Sequence, residues 1–368
     1  MRFIATCKLG LEALVASELR GMDIEVEAVL DARVIFLGDE FSMVHACLNL
    51  RTAERVLLSL GTFKAVTFTE LFDGVYGINF KLYIEKNAFI HVTGKSAKSA
   101  LFSVSDCQSI AKKAIVEKLK ASYHTDIIPE TGNEIIVEVG ILKDEVTIAL
   151  DCCGAGLSRR GYRTFNVPAP ISETLGAALV TLSHYRSYLP LYDPMCGSGT
   201  IPIEAAMIAN NIAPGLNREF AFERWHFIDK NAIVTARDEA KDAIKHEKLL
   251  IYGTDIDPHC IDLCKKHAKK AGIMVNFSVQ DIKDFSPEQG RGVIICNPPY
   301  GERLMNTSEA VKIYSLMSKL FLPLTECSKH IITAYPDFER AFSKRADKRR
   351  KLSNGGLTAT LYQYFWKD

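Results

Sequence analysis

The stretch "YDPMCGSGT" (Tyr192–Thr200) ends one apolar run and opens another with helical spacing. Gly197 and Gly199 allow a tight turn and let a bound group press against bare backbone. Asp193 stands where a strand would end, ready to accept from a cationic or N–H-bearing group. The stretch is not a Walker A loop, because no Lys follows its last Gly. Nor is it the dinucleotide fingerprint, because Ile201 and Pro202 occupy the third-glycine region. Alone, such a turn also fits a plain strand-to-helix connection, so its surroundings decide.

From Ser172 onward, apolar strand-like runs alternate with helices. "SETLGAALVTLSHY" opens on an N-cap Ser. "LPLYDP", "LLIYGTDID", "VNFSVQD", "GVIICNPP" and "KHIITAYP" are then separated by helical segments such as "PHCIDLCKKHAKKAG". That alternation predicts a doubly wound, mostly parallel sheet, whose ligands bind beyond the carboxyl ends of the strands. "KRADKRRKLSNGGLTATLYQYFW" reads as a terminal antiparallel hairpin turning at Gly355 and Gly356.

The region before Ser172 has a different style. Over residues 1–65, "RFIATCK", "LEALVASELRG", "IEVEAVL", "ARVIFLG" and "EFSMVHACLNLR" follow a strand–helix–strand–strand–helix order, which is ferredoxin-like. Residues 66–155 continue as α+β: a helix in "TFTELFDGVYGI", a strand in "AFIHVTGK" and a long amphipathic helix. A hairpin turning near Lys143 and Asp144 follows. Residues 156–171 carry Gly, Pro and basic residues without an apolar period and read as a linker, leaving 172–368 for the α/β domain.

The totals restrict the function classes. Net charge is only +1 over 368 residues, so any nucleic-acid contact must come from a local basic face. No run of about 18 apolar residues could span a bilayer, and the first residues lack the apolar centre of a signal peptide. The expected setting is the cytoplasm, with the ten cysteines reduced. "HCIDLCKKH" (His259, Cys260, Cys264, His267) resembles a metal cluster only superficially. It follows Pro258 on a helical pattern and is expected to pack, with no metal.

Three further strand tips complete a site. Asp255, at the end of the second strand, suits a ribose diol. Asp257 fits a helix cap before Pro258 better. Asp281, after the third strand, would accept from an exocyclic adenine amine. Together the tips outline a pocket for a nucleoside with a charged tail, and S-adenosylmethionine fits that outline. "NPPY" (Asn297, Pro298, Pro299, Tyr300) ends the fourth strand, beside the first. The Asn297 amide oxygen and the Pro298 carbonyl can both accept from one planar NH₂ group. The two prolines hold the backbone rigid, and Tyr300 offers a face for base stacking, worth ~1–3 kcal/mol. The amine of an aromatic base is a poor nucleophile, and two acceptors that hold its hydrogens favour the pyramidal transition state. Cys296, within the apolar strand, points away from Asn297 and is not a nucleophile.

"DPMCGSGTIPIEAAMIA", "FAFERW", "NPPYGERL", "GLSRRGYR" and "KRRKLSNGGLTATLYQYF" resemble the THUMP-domain class I methyltransferases. They resemble most the bacterial group that includes the N-terminal half of RlmL, which methylates guanine N2 in large-subunit ribosomal RNA. The resemblance implies a Rossmann-like catalytic domain using S-adenosylmethionine, preceded by ferredoxin-like and THUMP regions that grip structured RNA or an assembling ribosomal particle. It places Asp193, Gly197 and Gly199 at the cofactor's amino-acid end, Asp255 at the ribose, Asp281 at the adenine and Asn297 to Tyr300 at the target base. Cys196, Ser198, Thr200, Ile256, Ile282 and Asn297 complete the cofactor-binding set. The fused relatives carry a second methyltransferase half, whereas this sequence reads as a single one, which leaves the target nucleotide open. "NPPY" itself also occurs in adenine-N6, guanine-N2 and glutamine methyltransferases, so a transfer-RNA guanine-N2 methyltransferase or an adenine-N6 DNA methyltransferase is the alternative. Lys95, Lys98, Arg159, Arg160, Arg163, Arg345, Lys348, Arg349, Arg350 and Lys351 are the candidates for RNA contact.

Overall fold

The computed structural model describes residues 1–163, 171–287, 290–299, 307–354 and 357–366. The chain forms two compact units, each assembled from several segments. The first comprises Met1–Cys7, Ala16–Leu157 and Glu219–Glu239, and the second Lys8–Val15, Ser158–Arg218 and Ala240–Asp368.

In chain order, the N-terminal elements are β1 (Arg2–Cys7), α1 (Glu12–Gly21), β2 (Glu25–Leu30), β3 (Arg33–Leu37), α2 (Glu40–Asn49), β4 (Ala53–Lys64) and α3 (Phe68–Tyr76). There follow β5 (Phe89–Ala97), α4 (Val104–Tyr123), β6 (Glu134–Leu142) and β7 (Glu145–Asp151). The first unit holds one continuous sheet in the order β2-β3-β1-β4-β7-β6-β5. Its ferredoxin-like half and its THUMP-like half are joined through the twelve-residue β4, antiparallel to β1 on one side and to β7 on the other. Local pattern does not announce this strand, because "VLLSL" is apolar on both faces and lacks a period of two. On β6, Ile135, Val137, Val139 and Ile141 alternate inward, and α4 buries Cys107, Ala111, Ala114, Ile115 and Leu119 at helical spacing. Lys143 and Asp144 turn the β6–β7 hairpin with φ of 52° and 64°, the pairing that a two-residue type I′ turn requires.

The remaining elements are α5 (Glu173–Leu182), β8 (Leu191–Asp193), α6 (Thr200–Ala209), α7 (Lys230–Asp242), β9 (Ile251–Asp255) and α8 (Pro258–Ala271). After these come β10 (Asn276–Val279), β11 (Gly292–Cys296), α9 (Thr307–Phe321), β12 (Cys327–Thr333), α10 (Phe338–Ala341), β13 (Lys348–Asn354) and β14 (Leu357–Tyr364). The second unit's sheet runs β10-β9-β8-β11-β12-β14-β13. Strands β8 to β12 are parallel, and β14 and β13 close the edge antiparallel, as the alternation and the terminal hairpin imply. On one face Tyr192, Ile294 and Cys296 pack with Tyr314, Met317 and Phe321 of α9 and Phe338 of α10. On the other, Gly253 leaves room for Phe277 and for Pro202 of α6. Helices thus cover both faces, and β8 lies between β9 and β11 at the centre.

Glu219–Glu239 belongs to the first unit although segments of the second unit flank it on both sides. Phe222 and Trp225 are buried, and Phe227 meets Trp225 at 5.3 Å and Tyr83 edge-on at 5.4 Å. The Phe222 N–H donates to the Cys152 carbonyl at 3.2 Å.

Candidate active site

The loop from β8 to α6 is held from three sides. Gly197 and Gly199 have φ of 53° and 81°, in the left-handed region that favours glycine. A Cβ on Gly199 would lie 2.9 Å from the Cys264 sulfur, whereas one on Gly197 would meet only open space. The Gly197 N–H donates to Asp255 Oδ2 at 2.9 Å, and the Cys196 N–H donates to the Thr254 carbonyl at 2.9 Å. Asp255 also accepts from the Asp257 N–H at 3.0 Å, so this carboxylate ties the first and second strand tips together. Beneath the loop, Cys264 donates to the Gly197 carbonyl at 3.1 Å, with its sulfur 3.8 Å from that of Cys196. His267 Nδ1 lies 3.2 Å from the Ser198 carbonyl. Burial lowers the His267 pKa, so the ring is neutral at pH 7 and donates from Nδ1. Cys264 and His267, two of the four residues of "HCIDLCKKH" singled out above, thus hold the backbone of the loop.

Asp193 is only 2% exposed. Burial pushes its carboxyl well above the usual range, opposed by the Met195 N–H, and the charge of Asp255 adds to the rise. A cation or ammonium placed against it would restore its charged form. Asp257 caps α8 through the His259 N–H at 2.9 Å, the role its place before Pro258 suggests. Ile256 projects 66% exposed. Ile282 packs partly into the sheet core. Asp281 accepts from the Lys283 N–H at 3.0 Å, and the Lys283 ammonium lies 3.2 Å from its other oxygen. These bonds hold its pKa below the ordinary carboxylate value.

Asn297 follows the last residue of β11, one strand over from Asp193. Its Oδ1 is buried with no hydrogen-bond partner among the described residues. Pro298 is buried and Pro299 half-buried, while Tyr300 lies outside the described residues. Cys296 packs into the α9 face of the sheet, and burial drives its thiol pKa well up, so it remains an un-ionised core residue. A cleft of about 850 Å³ reaches Asp193, Thr254 and Gln280, and the stacked rings of Tyr192 and Tyr252 line it.

Several proposed RNA contacts find other partners. Arg160 is a correction: its side chain is 1% exposed and pairs with Glu204, 0% exposed, at 3.5 Å. Tyr162 Oη donates to the same carboxylate at 3.0 Å. Arg163 is likewise turned inward, pairing with Glu173 at 3.4 Å and donating to Thr200 Oγ1 and to the Ile171 carbonyl. Neither guanidinium is offered to a nucleic acid. The missed signal is Glu204 in "TIPIEAAMIA": a carboxylate in an apolar helix requires a buried cation. Arg349 pairs with Glu339 at 2.6 Å, Arg350 donates to the Gly10 carbonyl at 3.0 Å, and Lys95 pairs with Glu138 at 2.9 Å. Lys98, Arg159, Arg345, Lys348 and Lys351 are exposed or half-exposed.

Residues 160–363 match the model of the RMKL-like methyltransferase domain family. The chain belongs to that family. Residues 2–57 match the RlmL ferredoxin-like domain and residues 65–151 the THUMP domain. Over 99% of its length the chain is 44% identical to YpsC of Bacillus subtilis, across 96% of that protein, which bears the provisional name of an RNA methyltransferase. It is 32% identical to the ribosomal RNA large subunit methyltransferase K/L of Photobacterium profundum, of which it spans 52%. The solved structure of SMU.472, provisionally named a methyltransferase and complexed with S-adenosylhomocysteine (SAH), superposes with a TM-score of 0.94 at 39% identity. That match covers 100% of this chain and 98% of SMU.472. The RMKL-like domain thus supplies the second unit's methyltransferase fold.

Proposed function

We propose that this methyltransferase transfers a methyl group from S-adenosylmethionine to the exocyclic N2 of a guanine in large-subunit ribosomal RNA. The observation that carries the reading is the Asn297 amide oxygen, buried and unpartnered among the described residues at the end of a central strand. A buried acceptor left without a donor costs about 1–3 kcal/mol, and a base amine is a donor that would satisfy it.

The residues at the strand tips suit the cofactor. Asp193, buried and favouring a cationic neighbour, would take the amino-acid end, with Gly197 leaving open space beside Cys196, Ser198 and Thr200. Asp255 retains lone pairs for ribose hydroxyls beyond its two backbone bonds. Ile256 offers an exposed apolar side chain for a purine ring. Asp281, already engaged by Lys283, is the weakest member of the set. Bound S-adenosylmethionine supplies an electrophilic methyl group on a sulfonium. The chain's own part is to hold the amine. Asn297 Oδ1 and the Pro298 carbonyl would each accept a hydrogen bond from one of its N–H groups, the prolines pin the turn, and Tyr300 would stack on the base; as the N–CH₃ bond forms, one amine proton is released to solvent. The base must leave its stack to enter.

The THUMP domain and the large-subunit name of the Photobacterium relative support ribosomal RNA. In this reading residues 1–65, 66–155 and 172–368 are the ferredoxin-like, RNA-binding and catalytic domains of a cytoplasmic enzyme. Lys98, Arg159, Arg345, Lys348 and Lys351 are the candidates for phosphate contact that remain open to solvent.

Labelled S-adenosylmethionine offered to total RNA and, separately, to genomic DNA tests the proposal after digestion to nucleosides. N2-methylguanosine from ribosomal RNA is expected. N6-methyladenine in DNA with RNA silent would overturn it, and N2-methylguanosine confined to transfer RNA would move the substrate. Asn297→Ala should lower transfer at least about a hundredfold while cofactor binding persists.

A further inference from the structure

The loop joining β5 to α4 carries Phe102, 83% exposed. A lone exposed apolar residue needs no explanation. This one stands on a loop braced at nearly every residue. Ser96 Oγ donates to the Leu101 carbonyl at 2.5 Å, Ser99 Oγ to the Ala97 carbonyl at 2.9 Å, and the Ala100 N–H to Asp144 Oδ1 at 2.7 Å. The Asp144 N–H returns a bond to Ser99 Oγ at 3.1 Å, and the Phe102 N–H donates to the Ala100 carbonyl at 3.1 Å. The ring is thus presented to solvent by a preorganised support, which lowers the ordering cost of any flat group that stacks on it.

Charge surrounds the ring in a defined row. Lys64 pairs in register with Glu145, Glu145 with Leu142, and Leu142 with Ala97. Lys64, Lys143 and Lys98 therefore lie along one end of the sheet, spanning roughly 14 Å at the usual strand spacing. All three are exposed, and none makes an ion pair with a described residue. Of the nearby carboxylates, Asp144 is turned onto the Ala100 N–H and Asp106 onto Ser103, leaving Glu145 outward.

We propose that this end of the THUMP-containing unit grips unpaired RNA, with a base stacked on Phe102 and the adjoining phosphates met by Lys98, Lys143 and Lys64. A rigid aromatic flanked by flexible ammonium groups suits a single strand, whose base faces are free, and not an A-form duplex, whose bases are stacked on one another. The inference rests on the RNA reading above and adds which form of RNA the first unit prefers.

The test measures binding of the full chain to a short mixed-sequence single-stranded oligoribonucleotide and to the same sequence as a blunt duplex, at one salt concentration. Wild type should prefer the single strand. Phe102→Ala should weaken that binding about tenfold and leave duplex and cofactor binding unchanged. Phe102→Trp should retain affinity, with its fluorescence quenched as RNA is added. Phe102→Ala binding single strands as tightly as wild type would overturn the stacking proposal while leaving RNA as the substrate. A wild type that neither binds nor methylates RNA would overturn both.

Discussion

Two basic stretches of the second unit look alike as text and fold oppositely. "SRRGYR" carries three arginines in six residues, and "KRADKRRK" six basic residues in eight. In the first, Arg160 and Arg163 turn inward against Glu204 and Glu173. In the second, Lys348 and Lys351 stay in solvent on the edge strand β13, and Arg349 and Arg350 are tied to Glu339 and to the Gly10 carbonyl. What separates them is the counter-charge. Glu204 and Glu173 lie on helices whose neighbouring residues are apolar, and a carboxylate there must draw in a cation. The difference also divides their roles. The inward pairs brace α5 and α6 beside the glycine loop, whereas the outward residues remain available to a polyanion.

The largest test breaks the inward pair. Glu204→Ala would take away the carboxylate paired with the buried Arg160 guanidinium, at a cost of about 3–5 kcal/mol. Urea unfolding followed through the second unit should show that loss. Glu204→Ala together with Arg160→Met should recover much of it, since an apolar replacement removes both buried charges. A loss below about 1 kcal/mol for the single variant would mean that water reaches the pair.

Burial of a base in the same unit gives the next effect. His330 on β12 is 0% exposed, between Ser328 and Gln363, and burial lowers its pKa to about 3. The unfolded chain, with an ordinary pKa near 6.5, takes up this proton first as the pH falls. The contribution to stability is therefore full above about pH 6.5 and declines toward pH 3, at up to about 1.4 kcal/mol per pH unit. His330→Gln should flatten that part of the stability–pH profile. An unchanged slope would assign the acid sensitivity to other groups.

Much of this could be read before the fold was seen, and the exceptions share a cause. The parallel order, the terminal hairpin and the β6–β7 turn at Lys143 and Asp144 follow from local periodicity and turn chemistry. Asp193, Asp255 and Asn297 stand at strand tips because residues there end apolar runs. What local pattern could not show depends on partners far along the chain. The apolar β4 gives no period, since it is covered on both faces and flanked by β1 and β7. "FAFERW" reads as catalytic-domain sequence, yet Trp225 and Phe222 are buried in the first unit. Arg160 reads as an RNA contact until Glu204, 44 residues later, is seen beside it.

The smallest effect on stability comes from the outward stretch, and it completes the contrast. Lys348→Ala with Lys351→Ala removes two exposed ammonium groups that occupy no core, so unfolding should change by no more than about 0.5 kcal/mol. If both meet phosphates, affinity for RNA should nevertheless fall, and the slope of log affinity against log salt should shrink by about one for each phosphate no longer neutralised. The two readouts separate in opposite directions for the two stretches. Inward arginines should alter unfolding more than salt dependence, and outward lysines salt dependence alone. A lysine pair that changed stability but left the salt slope unaltered would place β13 with the braces, and the RNA path would have to be sought at Arg159, Arg345 or the first unit's lysines.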